Sequence, residues 1–212
     1  MKKLLVIGAG GFGREVMSMA LDISKEKNTE WEPYGFLDDN TEALKDLDTM
    51  GFDVIGTISE HVVSDEYVYV CAIADSEVRE KICKEFIANG ALFIDLIHHT
   101  CKIGYSSTTG RGLIMAMYSC ITENAKLGDF VIVNAYTSIG HDAVIDDYCT
   151  LSAHCDITGH TVLGKSVFLG SSAVITPGVM VGDYARVGAG SIVVRKVKPN
   201  TTVFGNPAKR IY

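Results

Sequence analysis

Near the amino terminus, Gly8-Ala9-Gly10-Gly11-Phe12-Gly13 carries the spacing G-x-G-x-x-G. Glycines let a backbone approach a phosphate closely. Where such a turn leaves a strand and opens a helix, the helix end adds free N–H groups and a positive dipole end. The flanks fit that context. Lys2–Ile7 (KKLLVI) reads as a buried parallel strand, and Val16, Met19, Ala20 and Ile23 recur on one helical face. A second strand, Tyr34–Leu37, ends in Asp38-Asp39, where a carboxylate can accept hydrogen bonds from ribose hydroxyls or a base edge.

The elements around this turn make a small α/β unit. A third strand is expected over Tyr67–Ile73, a helix over about Glu77–Ala88 with Val78, Ile82 and Phe86 on one side, and a fourth short strand over Leu92–Ile94. The unit ends near residue 95, about half of a complete dinucleotide fold. Half a fold suits half a dinucleotide, which is one nucleoside diphosphate. NAD binding, and a glycine turn that binds nothing, are the competing readings.

The remaining two thirds carry an internal period. Stepping by six from Ile97 gives Ile103, Thr109, Met115, Ile121, Leu127, Val133, Ile139, Ile145, Leu151, Ile157, Leu163, Leu169, Ile175, Val181, Val187 and Val193. Thr109 is the one position of the series that is neither aliphatic nor Met. The next residue is often Gly, and the residue four further on is usually small or β-branched. Neither a helical period nor alternation gives six. A triangular coil of three hexads does, with the aliphatic residue inward, glycine relieving strain at the corner, and coils stacked as parallel strands roughly 4.8 Å apart. The expected architecture is thus a half-Rossmann-like βαβ domain over residues 1–95, followed by an all-β parallel β-helix of hexapeptide repeats over 96–212. The pattern itself does not fix the hand.

Bulk properties narrow the partners. A formal charge of −7 over 212 residues argues against nucleic acid. From Tyr184 onward there is no acidic residue but six basic ones, Arg186, Arg195, Lys196, Lys198, Lys209 and Arg210, which suits a small polyanion or an ordinary solvated end. No apolar run reaches the ~18 residues that span a bilayer, and no signal-like core is present, so no membrane insertion and a cytoplasmic location are expected. Six cysteines without ligand-like spacing read as small buried thiols.

The hexads resemble the hexapeptide acyltransferases, whose prisms are left-handed. The ending Phe204-Gly205-Asn206-Pro207-Ala208-Lys209 is similar to that family's terminus. The front half, with Gly8–Gly13, Phe36-Leu37-Asp38-Asp39 and Ala72-Ile73-Ala74-Asp75, resembles the sialic acid O-acetyltransferase-like (NeuD/PglD-type) branch, which includes bacterial N-acetyltransferases acting on UDP-4-amino-sugars. The resemblance implies acetyl-CoA as co-substrate, no metal, and a nucleotide-sugar acceptor. It implies a general base at His141, in Asn134-Ala135-Tyr136-Thr137-Ser138-Ile139-Gly140-His141-Asp142, with Asp142 raising its basicity where several relatives have Glu. It places acetyl-CoA contacts at Thr150, Gly159, Ser171 and Ala189, and nucleotide-sugar contacts at Gly10, Gly11, Phe12, Asp38, Asp39 and, more weakly, Gly56.

Such chemistry needs little covalent help. An amine attacking a thioester needs positioning, proton removal and an oxyanion donor. Flat prism faces packed round a threefold axis would leave a cofactor groove between copies, so a homotrimer is expected. Rival readings are a zinc enzyme of the γ-carbonic-anhydrase type, a non-catalytic nucleotide-sugar sensor, and O-transfer to a sialic acid or other glycan hydroxyl. His154 and His160 share a phase on successive faces and are given no role, nor are His98 and His99.

Overall fold

The computed structural model describes residues 1–26 and 28–211. The chain forms two compact units, Met1–Leu96 and Ile97–Tyr212, and the terminal Tyr212 lies outside the described residues.

The first unit contains β1 (Lys2–Ile7), α1 (Gly11–Glu26), β2 (Trp31–Leu37), β3 (Val54–Gly56), β4 (Tyr67–Cys71) and α2 (Ser76–Ala88). The four strands form one sheet in the order β3-β2-β1-β4, and the β1–β2, β1–β4 and β2–β3 pairings are all parallel. Leu4 to Ile7 and Val68 to Cys71 are buried, as the continuous apolar runs of a parallel sheet require. Helix α1 turns Val16, Met19, Ala20 and Ile23 inward. Asp75 caps α2 by accepting from the N–H groups of Glu77 and Val78, both at 3.0 Å.

One expected strand is corrected and one strand was not expected. Leu92–Ile94 is not a strand, because only Phe93 bridges to Tyr69 before the chain leaves the sheet edge. Val54–Gly56 is a strand that periodicity did not reveal, since three residues are too few to show a period.

The second unit is a left-handed parallel β-helix. Two-residue strands recur every six residues and pair with strands eighteen residues away, as in Ile132↔Thr150, Ser138↔Asp156 and Val144↔Val162. They build three sheets of eight, six and four strands. The hexad series from Met115 to Val193 fills the interior, with Ala125, Ala143, Ala173 and Ala185 packed beside it. Each aliphatic side chain so buried contributes roughly 1.5–3 kcal/mol of transfer free energy. The last turn is shorter, pairing Val181 with Val197, before Thr202–Phe204 and Lys209–Arg210 close the end as an antiparallel pair.

The corner glycines relieve steric strain as expected, and they do it between coils. The glycine after each inward residue does not supply a left-handed conformation. It removes a Cβ that would strike the next coil: at Gly164 that atom would stand 2.8 Å from the backbone nitrogen of Asp183. The left-handed residue is two positions later and is usually not glycine. Tyr118, Asn124, Phe130, Tyr136, Asp142, Tyr148, His154, His160, Ser166, Ser172 and Tyr184 all have φ of 55–61°. A left-handed residue at the successive corners from Gly112 to Gly190 turns the chain sharply, and among non-glycine residues Asn, Asp and His tolerate that region best. Side chains at this position therefore stack coil on coil, as Tyr118 on Tyr136 and Tyr136 on His154, with ring centroids 5.2 and 5.0 Å apart.

Candidate active site

In the first unit the glycine turn is held open. Gly13 is obligatory for packing, because a Cβ there would overlap the carbonyl oxygen of Gly8, and Gly8 itself has φ of 98°. Gly10 and Gly11 are different. Both are exposed, and a Cβ on Gly10 would meet nothing within 4 Å. No acidic side chain occupies the first turn of α1 itself.

Asp38 belongs to this turn. Its Oδ2 accepts the N–H of Ala9 at 2.7 Å and its Oδ1 that of Asn40 at 2.9 Å. The N–H of Asp38 in turn donates to the carbonyl of Gly56 at 3.2 Å. The carboxylate thus shapes the turn, and its remaining lone pairs stay able to accept from a ligand. Asp39 points elsewhere, with Oδ1 accepting from both the N–H and the hydroxyl of Ser59, at 3.0 and 3.1 Å. Phe12 is half-buried on the first turn of α1. Sequence reasoning passed over Arg14. Its Nη2 is 3.8 Å from where a Cβ on Gly11 would sit, and its Nε is buried with no hydrogen-bond partner among the described residues. The available signal was a cation in a first helical turn, where acidic residues are the rule.

In the second unit, His141 follows the strand Ser138–Ile139 and Asp142 takes the left-handed corner at φ 59°. That corner turns the carboxylate back onto its neighbour, and His141 Nδ1 lies 2.8 Å from Asp142 Oδ2. The hydrogen bond with His141 holds the Asp142 carboxyl below the usual carboxylate range, assisted by the nearby imidazoles and by Asn124 one coil below. With Nδ1 bonded to a carboxylate, Nε2 is left to act as base. The imidazole lies over Gly159, where a Cβ would stand 2.6 Å from Nε2. The ring occupies room that exists because residue 159 has no side chain.

His160 is also brought here, which the hexad phase did not anticipate. It stands one coil above Asp142, its N–H donates to the carbonyl of His141 at 2.9 Å, and its Nε2 is 3.8 Å from Asp142 Oδ2. The two imidazoles meet edge to face at 5.1 Å. His154 does not join them, since it stacks on Tyr136. His98 is buried with Nδ1 2.8 Å from the Thr100 hydroxyl, His99 packs on His98, and His61 reaches the Tyr69 hydroxyl at 3.0 Å.

The four positions expected to touch acetyl-CoA are not gathered by one copy of the chain. Gly159 shares the corner of His141. Ser171 and Ala189 stack one coil apart on a different corner, that of Ala153, where both are exposed. Thr150 is 5% exposed within a sheet face.

Residues 3–86 match the sequence family described as the PglD N-terminal domain, and residues 160–195 match the bacterial transferase hexapeptide repeats. The acetyltransferase domain of PglB from Neisseria gonorrhoeae FA1090, solved in complex with acetyl coenzyme A, is 30% identical, superimposes with a TM-score of 0.89, and matches over 99% of each chain. The chain belongs to the hexapeptide-repeat acyltransferases of the NeuD/PglD type. Within this family's fold, PerB from Caulobacter crescentus, in complex with CoA and GDP-perosamine, superimposes with a TM-score of 0.86 at 24% identity, over 100% of this chain and 98% of PerB. That likeness speaks for the architecture. Uncharacterized protein L142 of Acanthamoeba polyphaga mimivirus is 29% identical over 128 residues, 60% of this chain and 24% of that protein. The chain therefore spans about a quarter of that viral relative. NeuD/PglD-type membership accounts for a PglD-type N-terminal unit and hexapeptide coils in one chain.

Proposed function

We propose that this chain moves an acetyl group from acetyl-CoA to the amino group of a nucleotide-linked amino sugar. The acceptor we favour is a UDP-4-amino-sugar, made for surface polysaccharide or glycan assembly in the cytoplasm. The observation that carries the reading is the 2.8 Å His141–Asp142 contact, which leaves Nε2 free above a glycine in a chain whose PglB relative binds acetyl-CoA. The amine attacks the thioester carbonyl and His141 Nε2 takes its proton. The tetrahedral intermediate then collapses, the C–S bond breaks, and the proton passes to the departing thiolate of CoA. Asp142 fixes the tautomer and stabilises the imidazolium while it exists. The N–H of Gly159 is assigned no acceptor among the described residues and lies beside the imidazole, which supports it as the oxyanion donor.

Two further parts of the reading rest on placement. The glycine turn, with Gly10, Gly11, Phe12, Asp38, Asp39 and Gly56, is the nucleotide-sugar site, and the open space at Gly10 supports close approach of a diphosphate. The split of Gly159 from Ser171 and Ala189 onto separate corners supports a homotrimer, in which a groove between copies joins the two sets.

The experiment is an acceptor screen. Purified chain, acetyl-CoA and UDP-, GDP-, dTDP- and CMP-linked amino sugars are incubated, and CoA release and acceptor mass are followed. Acetylation of an amine, and its loss in His141→Ala, are expected. Near-wild-type kcat/KM in that variant would remove His141 as base, and an alkali-labile product would identify transfer to a hydroxyl instead.

A further inference from the structure

The transfer reaction has no use for His160, yet the fold presents it to the catalytic pair. Asp142 and His160 are eighteen residues apart, one full coil. Both occupy the left-handed corner position, with φ of 59° and 57°. The hydrogen bond from the His160 N–H to the His141 carbonyl fixes the rise between them at the backbone. Three donors result: an imidazole nitrogen from each histidine and a carboxylate oxygen, all within 4.8 Å of one another and all reachable from solvent.

The separations suit one ion. Ligand bonds of roughly 2.0–2.1 Å in a tetrahedral shell put ligand atoms about 3.3 Å apart. The observed 2.8 Å between His141 Nδ1 and Asp142 Oδ2 and 3.8 Å between His160 Nε2 and the same oxygen lie on either side of that value. The third pair, the two imidazole nitrogens, lies within 4.8 Å, so rotation of exposed side chains brings the three donors round one ion. Two imidazoles and one carboxylate select the borderline transition metals over magnesium or calcium, which require more oxygen ligands.

We propose that His141, Asp142 and His160 form a three-ligand site for a divalent transition-metal ion of the zinc, cobalt and nickel class, and that its occupation silences the base. The ion takes the Nδ1 lone pair of neutral His141, whose single N–H proton moves from Nδ1 to Nε2, so Nε2 has no lone pair left to take the proton of the amine. No proton is released, no electron is transferred, and a fourth position stays open to water. The ion is an inhibitor and takes no part in acetyl transfer. The silencing rests on His141 being the base; the binding does not.

The test uses metal-free full-length protein titrated with Co2+ alone. Visible d–d absorption should saturate at one ion per chain and be displaced by Zn2+. It should be absent in His160→Asn and Asp142→Asn, both checked for wild-type circular dichroism and melting. In the acetyl-transfer assay, Zn2+ should lower wild-type turnover at least tenfold, reversibly on adding EDTA. His160→Asn should keep its metal-free turnover and need at least tenfold more Zn2+ for the same loss. Absence of saturating bands in wild type, or unchanged bands in His160→Asn, overturns the site. Bands as expected with Zn2+ leaving transfer untouched would uphold the site and overturn His141 as base.

Discussion

The imidazole of His141 rests on Gly159 of the next coil, whose missing side chain leaves it room. A Cβ on Gly159 would stand 2.6 Å from Nε2 and 2.7 Å from Cε1 of that ring. Gly159 has no left-handed φ, so alanine is tolerable to the backbone and intolerable only to the ring. Gly159→Ala is expected to cut kcat/KM about 100-fold, the scale of a catalytic group moved by roughly 1 Å, with the melting temperature little changed. Steady-state kinetics beside a thermal melt checks this, and an unaltered kcat/KM would mean that the ring position does not matter.

Asp142→Asn separates charge from shape. The amide preserves volume but can present its N–H to His141 Nδ1, favouring the wrong tautomer, and it cannot stabilise an imidazolium. A fall of 10²–10⁴-fold in kcat is expected, with KM for acetyl-CoA nearly constant. The same variant has a stability signature. Because the folded-state pKa of Asp142 is depressed, its contribution is present above the ordinary carboxylate value and fades as pH falls through the lower folded value. Melting curves between about pH 2 and pH 6 should therefore show a shallower acid decline in Asp142→Asn than in wild type.

Glycines in the two units should fail in opposite ways. Gly164→Ala drives a methyl against the backbone nitrogen and carboxylate of Asp183, and a loss of about 1–3 kcal/mol is expected by denaturant titration. Gly10→Ala meets nothing, so stability should hold while KM for the nucleotide sugar rises. An unchanged KM would take Gly10 out of the nucleotide site.

Cysteine reactivity reports on the solenoid. Burial pushes the Cys155 thiol up to about 11, so its thiolate is scarce near pH 8. Cys101 and Cys120 are only half-buried. Mass-mapped alkylation of native protein should label those two first and Cys155 only on unfolding.

Much of this was legible beforehand for a physical reason. A six-residue period reflects a coil whose every face buries one aliphatic residue, so it survives in the sequence without any knowledge of contacts. The strand–turn–helix at Gly8–Gly13 is equally local. What failed was short or non-periodic. Val54–Gly56 is too brief to carry alternation, and Leu92–Ile94 is apolar but pairs at the single bridge of Phe93 to Tyr69. The corner glycines were expected to relieve steric strain and do so, but what they clear was not legible, because inter-coil clearance is a contact between residues eighteen or nineteen apart.

By itself the sequence determined the two-unit plan and the hexad core, since these follow from local periodicity, while His141 was singled out by the resemblance to the hexapeptide acyltransferases. Only the tertiary structure decided that Asp38 is bound to the turn it was expected to serve, that Gly159 lies beneath the imidazole, and that His160 shares the oxygen of Asp142. Each joins residues from different strands or coils. Side-chain direction at such meetings is set by the left-handed corner and by the rise of one coil on the next, which no single segment of the chain encodes.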